Sequence, residues 1–257
     1  ALMQDVAVNT DARSVLFSTD WSLLADGEPF GRWAGNGGWG EQLLNSFHAD
    51  DGNSDRSFFD WLAAQRRKVR LIVRTIPLDE MEGWEVTPDG IISVSDGLPR
   101  VKSFSVKANC REVADWDQPL VLSSEEETVI QICQCRDGIM KFLLRASAEI
   151  GFREIVQLGP TLQSDDVTRG NGRADTIEAL IHHALDRYST IQSDEGGRFF
   201  RSVCRYRILE LPEEYNLDVE SDGYRWASLA QINRLSSIPG LFTNEARSAL
   251  SMVLSDV

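Results

Sequence analysis

Two β-rich stretches separated by a short turn constrain the fold of this chain more than any other feature of its sequence. The stretches are Thr128–Gln134 and Ile139–Ala146, and Arg136-Asp137-Gly138 lies between them. Asp-Gly is a strong hairpin signal, because both central residues of a two-residue hairpin turn adopt positive φ angles. The sequence therefore predicts an antiparallel β-hairpin near the middle of the chain.

Helical and β-rich segments alternate around this hairpin. The spacing of apolar residues predicts helices over Asn9–Phe17, Asp55–Val69, Ala174–Tyr188 and Thr243–Leu254. Further strands are predicted at Arg70–Thr75, Ile91–Val94, Val101–Lys107, Glu154–Gln163 (broken at Gly159-Pro160) and Phe199–Leu211. Ser228 begins a capping-box pattern, and the segment from Asp26 to Gly52, rich in Gly and Asn, is expected to be a linker or mobile loop. The plan is α+β, with a β-rich centre flanked by helices.

Charge and cysteine content limit the possible functions. The 257 residues include 40 acidic and 26 basic ones, for a net charge of -14. Such a charge repels polyphosphate backbones, so nucleic acid is not an expected partner. The four cysteines contain no CxxC pair and are too few for a disulfide framework in a chain of this size. Because the sequence shows neither an apolar run of 18 residues nor a signal-peptide pattern, we expect a cytoplasmic protein without membrane contact.

Several stretches of the chain are similar to a known family. They are FLLRASAEIGFREIVQLGPTLQ (Phe142–Gln163), QSDEGGRFFRSVCRYRILEL (Gln192–Leu211), YRWASLAQINRL (Tyr224–Leu235) and TNEARSALS (Thr243–Ser251). In order and spacing they resemble the repeat of the NDP-hexose 2,3-dehydratases. The last stretch is also echoed by NTDARSVLF at Asn9–Phe17, either by chance or because the chain begins with the end of one repeat. The resemblance divides the chain into residues 1–54, an N-terminal helix and Gly-rich linker, and residues 55–257, one repeat.

The resemblance implies a Nudix-like α/β/α sandwich with a mixed central sheet flanked by helices, without the chemistry of Nudix hydrolases. It implies a nucleotide-linked 4-keto-6-deoxyhexose as substrate, from which family members remove water across C2 and C3 in deoxysugar biosynthesis. The chain departs from the family in its length, about half the usual one, in Ile150, where Pro is usual, and in the tract SDDVTRGNG after Gln163. An uncovered repeat face would favour self-association, so a homodimer is expected.

Three arginines alternate along the predicted strand Phe199–Leu211. Arg201, Arg205 and Arg207 fall on one face, and the last two are about 6.6 Å apart at the rise of a β-strand. Forked guanidinium donors at that separation suit a diphosphate. On the residues alone, a solvated face that pairs with acidic residues is the simpler interpretation. The resemblance favours diphosphate binding by Arg205 and Arg207, with Arg201 nearer the other end of the ligand.

Two glutamates are candidates for acid–base chemistry. Elimination of water beside a ketone needs a base for the C3 proton, donors for the enolate oxygen and an acid for the leaving C2 hydroxyl. Glu149 and Glu154 border an apolar strand, where partial burial would raise the pKa of a carboxyl group toward neutrality. As exposed loop carboxylates they would have no such role.

Neutral and aromatic residues complete the candidate substrate site. Gln157, Thr161 and Gln163 alternate on one strand and suit sugar hydroxyls, or are ordinary polar residues of an edge strand. Trp116 and Trp226 could stack on a base or sugar, although tryptophan at such positions is more often part of the core.

The chain lacks the motifs of several other chemistries. It contains no GxGxxG, no Nudix box and no Ser-His-Asp motif, and the adjacent His182 and His183 diverge by about 100° on a helix. Neither a metal nor a cofactor is expected. Two interpretations stay open: a lyase of the 2,3-dehydratase type, or a non-catalytic nucleotide-sugar-binding or accessory module, including a half-length homologue that acts on another substrate.

Overall fold

The computed structural model describes residues 37–49, 55–88, 90–95, 99–109, 112–122, 126–152, 154–164, 174–194, 197–215, 217 and 223–255. The predicted helix Asn9–Phe17 and most of the tract after Gln163 lie outside these residues. By its contacts the chain divides into two units, a larger one (Ala1–Leu71, Thr128–Thr190 and Arg205–Val257) and a smaller one (Ile72–Glu127 and Ile191–Cys204).

Helices and strands both contribute to the described part of the chain, which confirms the α+β class. The helices are α1 (Gly37–Phe47), α2 (Asp55–Lys68), α3 (Ala174–Ile181), α4 (Leu229–Ser236) and α5 (Asn244–Ser255), with a 3-10 turn at Leu78–Glu80. The strands are β1 (Trp84–Thr87), β2 (Gly90–Ser93), β3 (Pro99–Lys107), β4 (Asp115–Leu122), β5 (Glu127–Arg136), β6 (Ile139–Ala148), β7 (Val156–Gly159), β8 (Leu162–Gln163), β9 (Leu185–Ser193), β10 (Phe199–Phe200), β11 (Val203–Glu210) and β12 (Tyr224–Ser228).

The larger unit is built on a sheet of order β12-β6-β5-β11-β9, to which β7 adds beside β6 and β8 beside β5. The predicted hairpin is confirmed: β5 and β6 pair antiparallel from Cys133↔Phe142 to Arg136↔Ile139. Asp137 and Gly138 form the turn with φ angles of 55° and 75°. These are the positive angles that an Asp-Gly turn requires.

Helices cover both faces of this sheet. On one face, Ile177 of α3 packs into an apolar cluster with Leu143 of β6 and Trp226 of β12. On the other face, Arg225 of β12 lies over the Phe58 ring of α2, with 5.3 Å from its Cζ atom to the ring centroid. The predicted layers, with helices flanking a central sheet, are therefore present in the larger unit.

The smaller unit contains a second sheet of order β1-β2-β3-β4-β10. Strands β3 and β4 pair antiparallel along most of their length, and β10 pairs parallel to β4. The rings of Phe104 and Phe200 stack at a centroid distance of 4.3 Å, which joins β3 to β10.

Helix caps predicted from the sequence are present. The Ser228 hydroxyl accepts a hydrogen bond from the Gln231 N–H at 3.1 Å and so caps α4. Likewise, the Thr243 hydroxyl accepts from the Ala246 N–H at 3.1 Å at the start of α5. Each side chain satisfies a backbone donor that the first turn of a helix leaves without an internal partner.

Three predictions of local structure are wrong. The expected linker contains α1, in which Leu43 and Ser46, three residues apart, are both buried, so its glycines conceal an amphipathic helix. Residues 70–75 form no strand, because no described strand pairs with them. The helix expected to reach Tyr188 ends at Ile181, because the residues after Ala184 alternate in burial and join the sheet as β9.

Candidate active site

Strands β5 and β6 separate before the hairpin reaches their far ends, and we call the point of separation, at Ile132 and Leu143, the fork. Beyond it β6 pairs with β7, from Arg145↔Gly159 to Ala148↔Val156. Strand β5 pairs instead with β8, through Ile130↔Leu162 and Val129↔Gln163. The corner between β7 and β8 thus lies between two strands that are neighbours elsewhere in the sheet.

A buried arginine and several neutral polar groups meet beside the fork. Arg145 is only 8% exposed, and its Nη2 donates to Gln163 Oε1 at 3.0 Å and to Ser147 Oγ at 3.4 Å. Gln157 lies opposite Ser147 in the β6–β7 register, on the same side of the sheet. We call Arg145, Ser147, Gln157 and Gln163 the Arg145 cluster. Its groups can both donate to and accept from a sugar, and they hold a cation against them.

Gly159 provides the space for this cluster. A Cβ atom at this position would lie 3.0 Å from Ser147 Cβ and 3.8 Å from Arg145 Nη2. No positive φ angle is involved, so the requirement for glycine is steric rather than conformational.

The sequence analysis missed Arg145 and Ser147. The available signal was a single cation and a hydroxyl within Ile139–Ala148, a strand whose other central residues are buried and apolar. A long buried strand that carries one arginine indicates either a paired charge or a functional group.

Thr161 lies in the fork itself and not among the cluster residues. Its side chain is fully buried, donates to the Leu143 carbonyl at 2.6 Å and accepts from the Ile132 N–H at 2.9 Å. The predicted single polar face of Gln157, Thr161 and Gln163 is therefore divided: the glutamines belong to the Arg145 cluster, whereas the Thr161 hydroxyl bonds to the backbone.

The two candidate acid–base glutamates flank the turn between β6 and β7. Both are exposed, so the partial burial predicted for them is absent. Glu149 directly follows β6, the strand that carries Arg145. Glu154 Oε2 lies 3.6 Å from Arg66 Nη1 of α2.

The arginine strand is shorter than predicted. Arg201 has a φ of 54° and lies between β10 and β11, where its Cζ stands 5.3 Å from the Phe200 ring centroid. The prediction that Arg201 shares a strand face with the other two arginines is therefore wrong, because the chain turns at this residue. For Arg205 and Arg207 the alternation is confirmed, since the residues between and beside them are buried.

Arg207 pairs with an acidic neighbour. Its Nε and Nη2 donate to Asp186 Oδ2 at 3.0 Å and 2.8 Å. The two side chains are 30% and 42% exposed, so this is a surface ion pair. The face that the sequence offered for a diphosphate thus carries an acid partner, as in the simpler interpretation of the sequence.

The two candidate tryptophans lie in different units. Trp226 is 8% exposed in the apolar core of the larger unit, and Arg136 Cζ stands 5.1 Å from its ring centroid. Trp116 of the smaller unit is half-buried, and its Nε1 donates to Gln118 Oε1 at 2.6 Å.

Two cysteines of β5 face protein interior rather than a reacting group. Burial raises the pKa of the Cys133 thiol well above its ordinary value of 9.0. Burial, followed by the Glu213 carboxylate, raises the pKa of Cys135 to about 11. Both thiols are protonated near neutral pH and are poor nucleophiles.

The family assignment rests on residues 55–253, which match the sequence model of the NDP-hexose 2,3-dehydratases. The chain belongs to this family. It is 28% identical to a dTDP-4-dehydro-6-deoxy-alpha-D-glucopyranose 2,3-dehydratase from Saccharopolyspora spinosa, over 99% of this chain and 53% of that protein. A protein of the same name from Streptomyces violaceoruber is 29% identical over 75% of this chain and 44% of its own. The chain spans about half the length of the curated relatives it matches.

Solved structures with some similarity include an ADP compounds hydrolase, with a TM-score of 0.38 and 16% identity over 61% of this chain and 84% of that one. A Nudix hydrolase from M. smegmatis has a TM-score of 0.33 and 12% identity over 60% of this chain and 97% of that one. The second carries the fold name expected from the sequence. Among the described helices none has the length and apolar character needed to cross a membrane.

Proposed function

We propose that this chain acts in the removal of water across C2 and C3 of a nucleotide-linked 4-keto-6-deoxyhexose. Membership in the 2,3-dehydratase family supports the reaction class. The relatives are named for a dTDP-linked 4-keto sugar, so dTDP is the first nucleotide to test. The C3 proton is acidic because it lies next to the C4 ketone. Its loss forms an enolate, which then expels the C2 hydroxyl.

The observation that carries this proposal is the burial of Arg145 among neutral hydrogen-bonding groups. The C4 oxygen gains negative charge as the C3 proton leaves, and a guanidinium in fixed geometry stabilises that charge strongly where water is excluded. Arg145 would donate to this oxygen, while Ser147, Gln157 and Gln163 would bond to sugar hydroxyls.

Glu149 is the best-placed base of the described residues. It follows β6 directly, and continued strand geometry would put Arg145, Ser147 and Glu149 on one side, with about 13 Å between the first and last Cα atoms. A sugar ring and the hydrogen-bonding reach of both side chains fit that span. Glu154, which is paired with Arg66, is the second candidate and would assist departure of the C2 hydroxyl.

Arg205 and Arg207 stay candidates for the diphosphate. A diphosphate at Arg207 must replace the Asp186 carboxylate that the guanidinium contacts. Trp116 and Trp226 stay candidates for stacking, although a ligand could reach the core ring of Trp226 only after rearrangement.

The test combines binding with turnover. Thermal-shift measurements with dTDP, UDP, GDP and a dTDP-linked sugar should show stabilisation by at least one nucleotide, because only the folded state binds. Incubation with the dTDP-linked 4-keto-6-deoxyhexose should release water and the C3 proton, followed by NMR. Binding without turnover would favour the accessory module, and an absence of stabilisation by every nucleotide would reject the proposal. The homodimer and the cytoplasmic location stay predictions, and light scattering that shows a monomer at micromolar concentration would contradict the first.

A further inference from the structure

We propose that Thr161, assisted by Gln131, is a positioning residue that sets Arg145 against Gln163. The catalytic consequence rests on the proposed function, whereas the geometric consequence does not. Thr161 was expected to bind substrate, and its place in the fork points to this different role.

The Thr161 hydroxyl occupies the place of a ladder hydrogen bond. In the β5–β6 register that begins at Arg136↔Ile139, Ile132 would lie opposite Leu143. The Ile132 N–H and the Leu143 carbonyl do not bond to each other but to Thr161 Oγ1, at 2.9 Å and 2.6 Å. A hydroxyl can donate once and accept at the same time, so it satisfies both groups while holding the two strands apart.

Gln131 completes this arrangement. Its Nε2 donates to the Ile132 carbonyl at 3.0 Å, to the Leu143 carbonyl at 2.9 Å and to Thr161 Oγ1 at 3.2 Å. Both Gln131 and Thr161 are 0% exposed. Backbone groups that the sheet leaves without ladder partners are therefore satisfied by two side chains in the interior, which fixes the fork in one geometry.

The fork residues and the cluster residues have the same spacing along their strands. Arg145 lies two residues after Leu143 on β6, and Gln163 lies two residues after Thr161 on β8. Because Thr161 is bonded to Leu143, two short extended segments leave one anchored point. At their second residues, Arg145 Nη2 meets Gln163 Oε1 at 3.0 Å. Loss of the anchor should move these side chains relative to each other.

A matched pair of variants separates the hydroxyl from the shape of the side chain. Thr161→Ser keeps the hydroxyl, and Thr161→Val keeps the shape without it. The measurement that needs no ligand is the NMR signal of the Arg145 Nε–H group, identified by its absence in Arg145→Lys. We expect this signal to be unchanged in Thr161→Ser and to shift or broaden in Thr161→Val. An unchanged signal in a folded Thr161→Val protein would overturn the proposal.

The catalytic measurement applies the same pair. In Thr161→Val, kcat should fall about 10- to 100-fold with a small change in KM, because a misplaced donor loses mainly transition-state contact. Thr161→Ser should restore the rate. Equal loss in both variants, or a change in KM alone, would overturn the positioning role. A wild-type chain without turnover would reject the proposed function and leave the NMR measurement to decide this inference.

If Thr161→Val does not fold, Gln131→Met replaces it. Methionine retains the length of the side chain and removes the donor to the fork. The Arg145 Nε–H signal should again shift, and an unchanged signal in a folded Gln131→Met protein would contradict the proposal.

Discussion

Polar side chains enter the sheet of the larger unit at two places with opposite surroundings. At the fork, Thr161 and Gln131 are fully buried and bond to backbone groups of β5 and β6. On β11, Arg207 is part-exposed and pairs with Asp186 on the neighbouring strand β9. Strand alternation is similar in both places, so the difference arises from the number of neighbouring strands and helices. A polar residue in a strand is thus informative about function only once its burial is known.

The largest effect in this comparison is expected on removal of the fork hydroxyl. Thr161→Val leaves the Ile132 N–H and the Leu143 carbonyl without this partner in the interior. At roughly 1–3 kcal/mol for each unsatisfied group, we expect a loss of about 2–4 kcal/mol in the free energy of unfolding. Thr161→Ser loses only a methyl group, at about 1 kcal/mol. Urea denaturation measures both, and equal losses would show that the hydroxyl is unimportant.

A second large effect is expected at Gly159. The new Cβ of Gly159→Ala would lie 3.0 Å from Ser147 Cβ, and such overpacking costs about 1–3 kcal/mol. Gly197→Ala is the control, because no atom lies within 4 Å of its added Cβ, and it should change stability by less than about 0.5 kcal/mol. If both variants are equally stable, the β6–β7 contact is looser than described.

The buried side of β5 should also show itself through pH. The pKa of Cys135 is raised to about 11 and that of Cys133 is raised above 9.0, so the folded state keeps both thiols protonated. The unfolded chain loses these protons as the pH rises through about 9, and stability should therefore fall between pH 9 and 11. The difference between wild type and Cys133→Ala/Cys135→Ala isolates this part. Parallel pH profiles would contradict the effect of burial.

The smallest effect is expected on the β11 face. Loss of the Arg207–Asp186 ion pair should cost less than about 1 kcal/mol, because both partners are part-exposed. A double-mutant cycle with Arg207→Met and Asp186→Asn measures it, and the coupling should shrink in high salt. A coupling above about 2 kcal/mol would place this pair with the buried groups of the fork.

Local chemistry explains which elements the sequence could predict. The hairpin at Asp137-Gly138 and the caps at Ser228 and Thr243 depend on neighbours within a few residues. The fork depends on β5 having different partners along its length, which no local pattern reveals. Thr161 was therefore assigned to a polar strand face although its partners lie in two other strands.

The candidate site was only partly predictable for the same reason. Gln157 and Gln163 were identified from alternation, whereas Arg145 could have been found as the cation in an apolar strand. The exposure of Glu149 and Glu154 depends on the turn between β6 and β7, in which Gly151 and Ile155 have φ angles of 101° and 66°. Such backbone conformations are rare for a residue like Ile155 and are not apparent from its sequence context.

The most direct test of the account compares turnover in Arg145→Lys and Arg207→Lys. Both changes keep the charge and remove the planar fork of donors. If the Arg145 cluster holds the enolate oxygen, kcat for the dTDP-linked 4-keto-6-deoxyhexose should fall about 100- to 1,000-fold in Arg145→Lys. Arg207→Lys should stay near the wild-type rate, because its guanidinium already contacts Asp186. Wild-type turnover in Arg145→Lys, together with a large loss in Arg207→Lys, would contradict the account and return the site to the arginine strand.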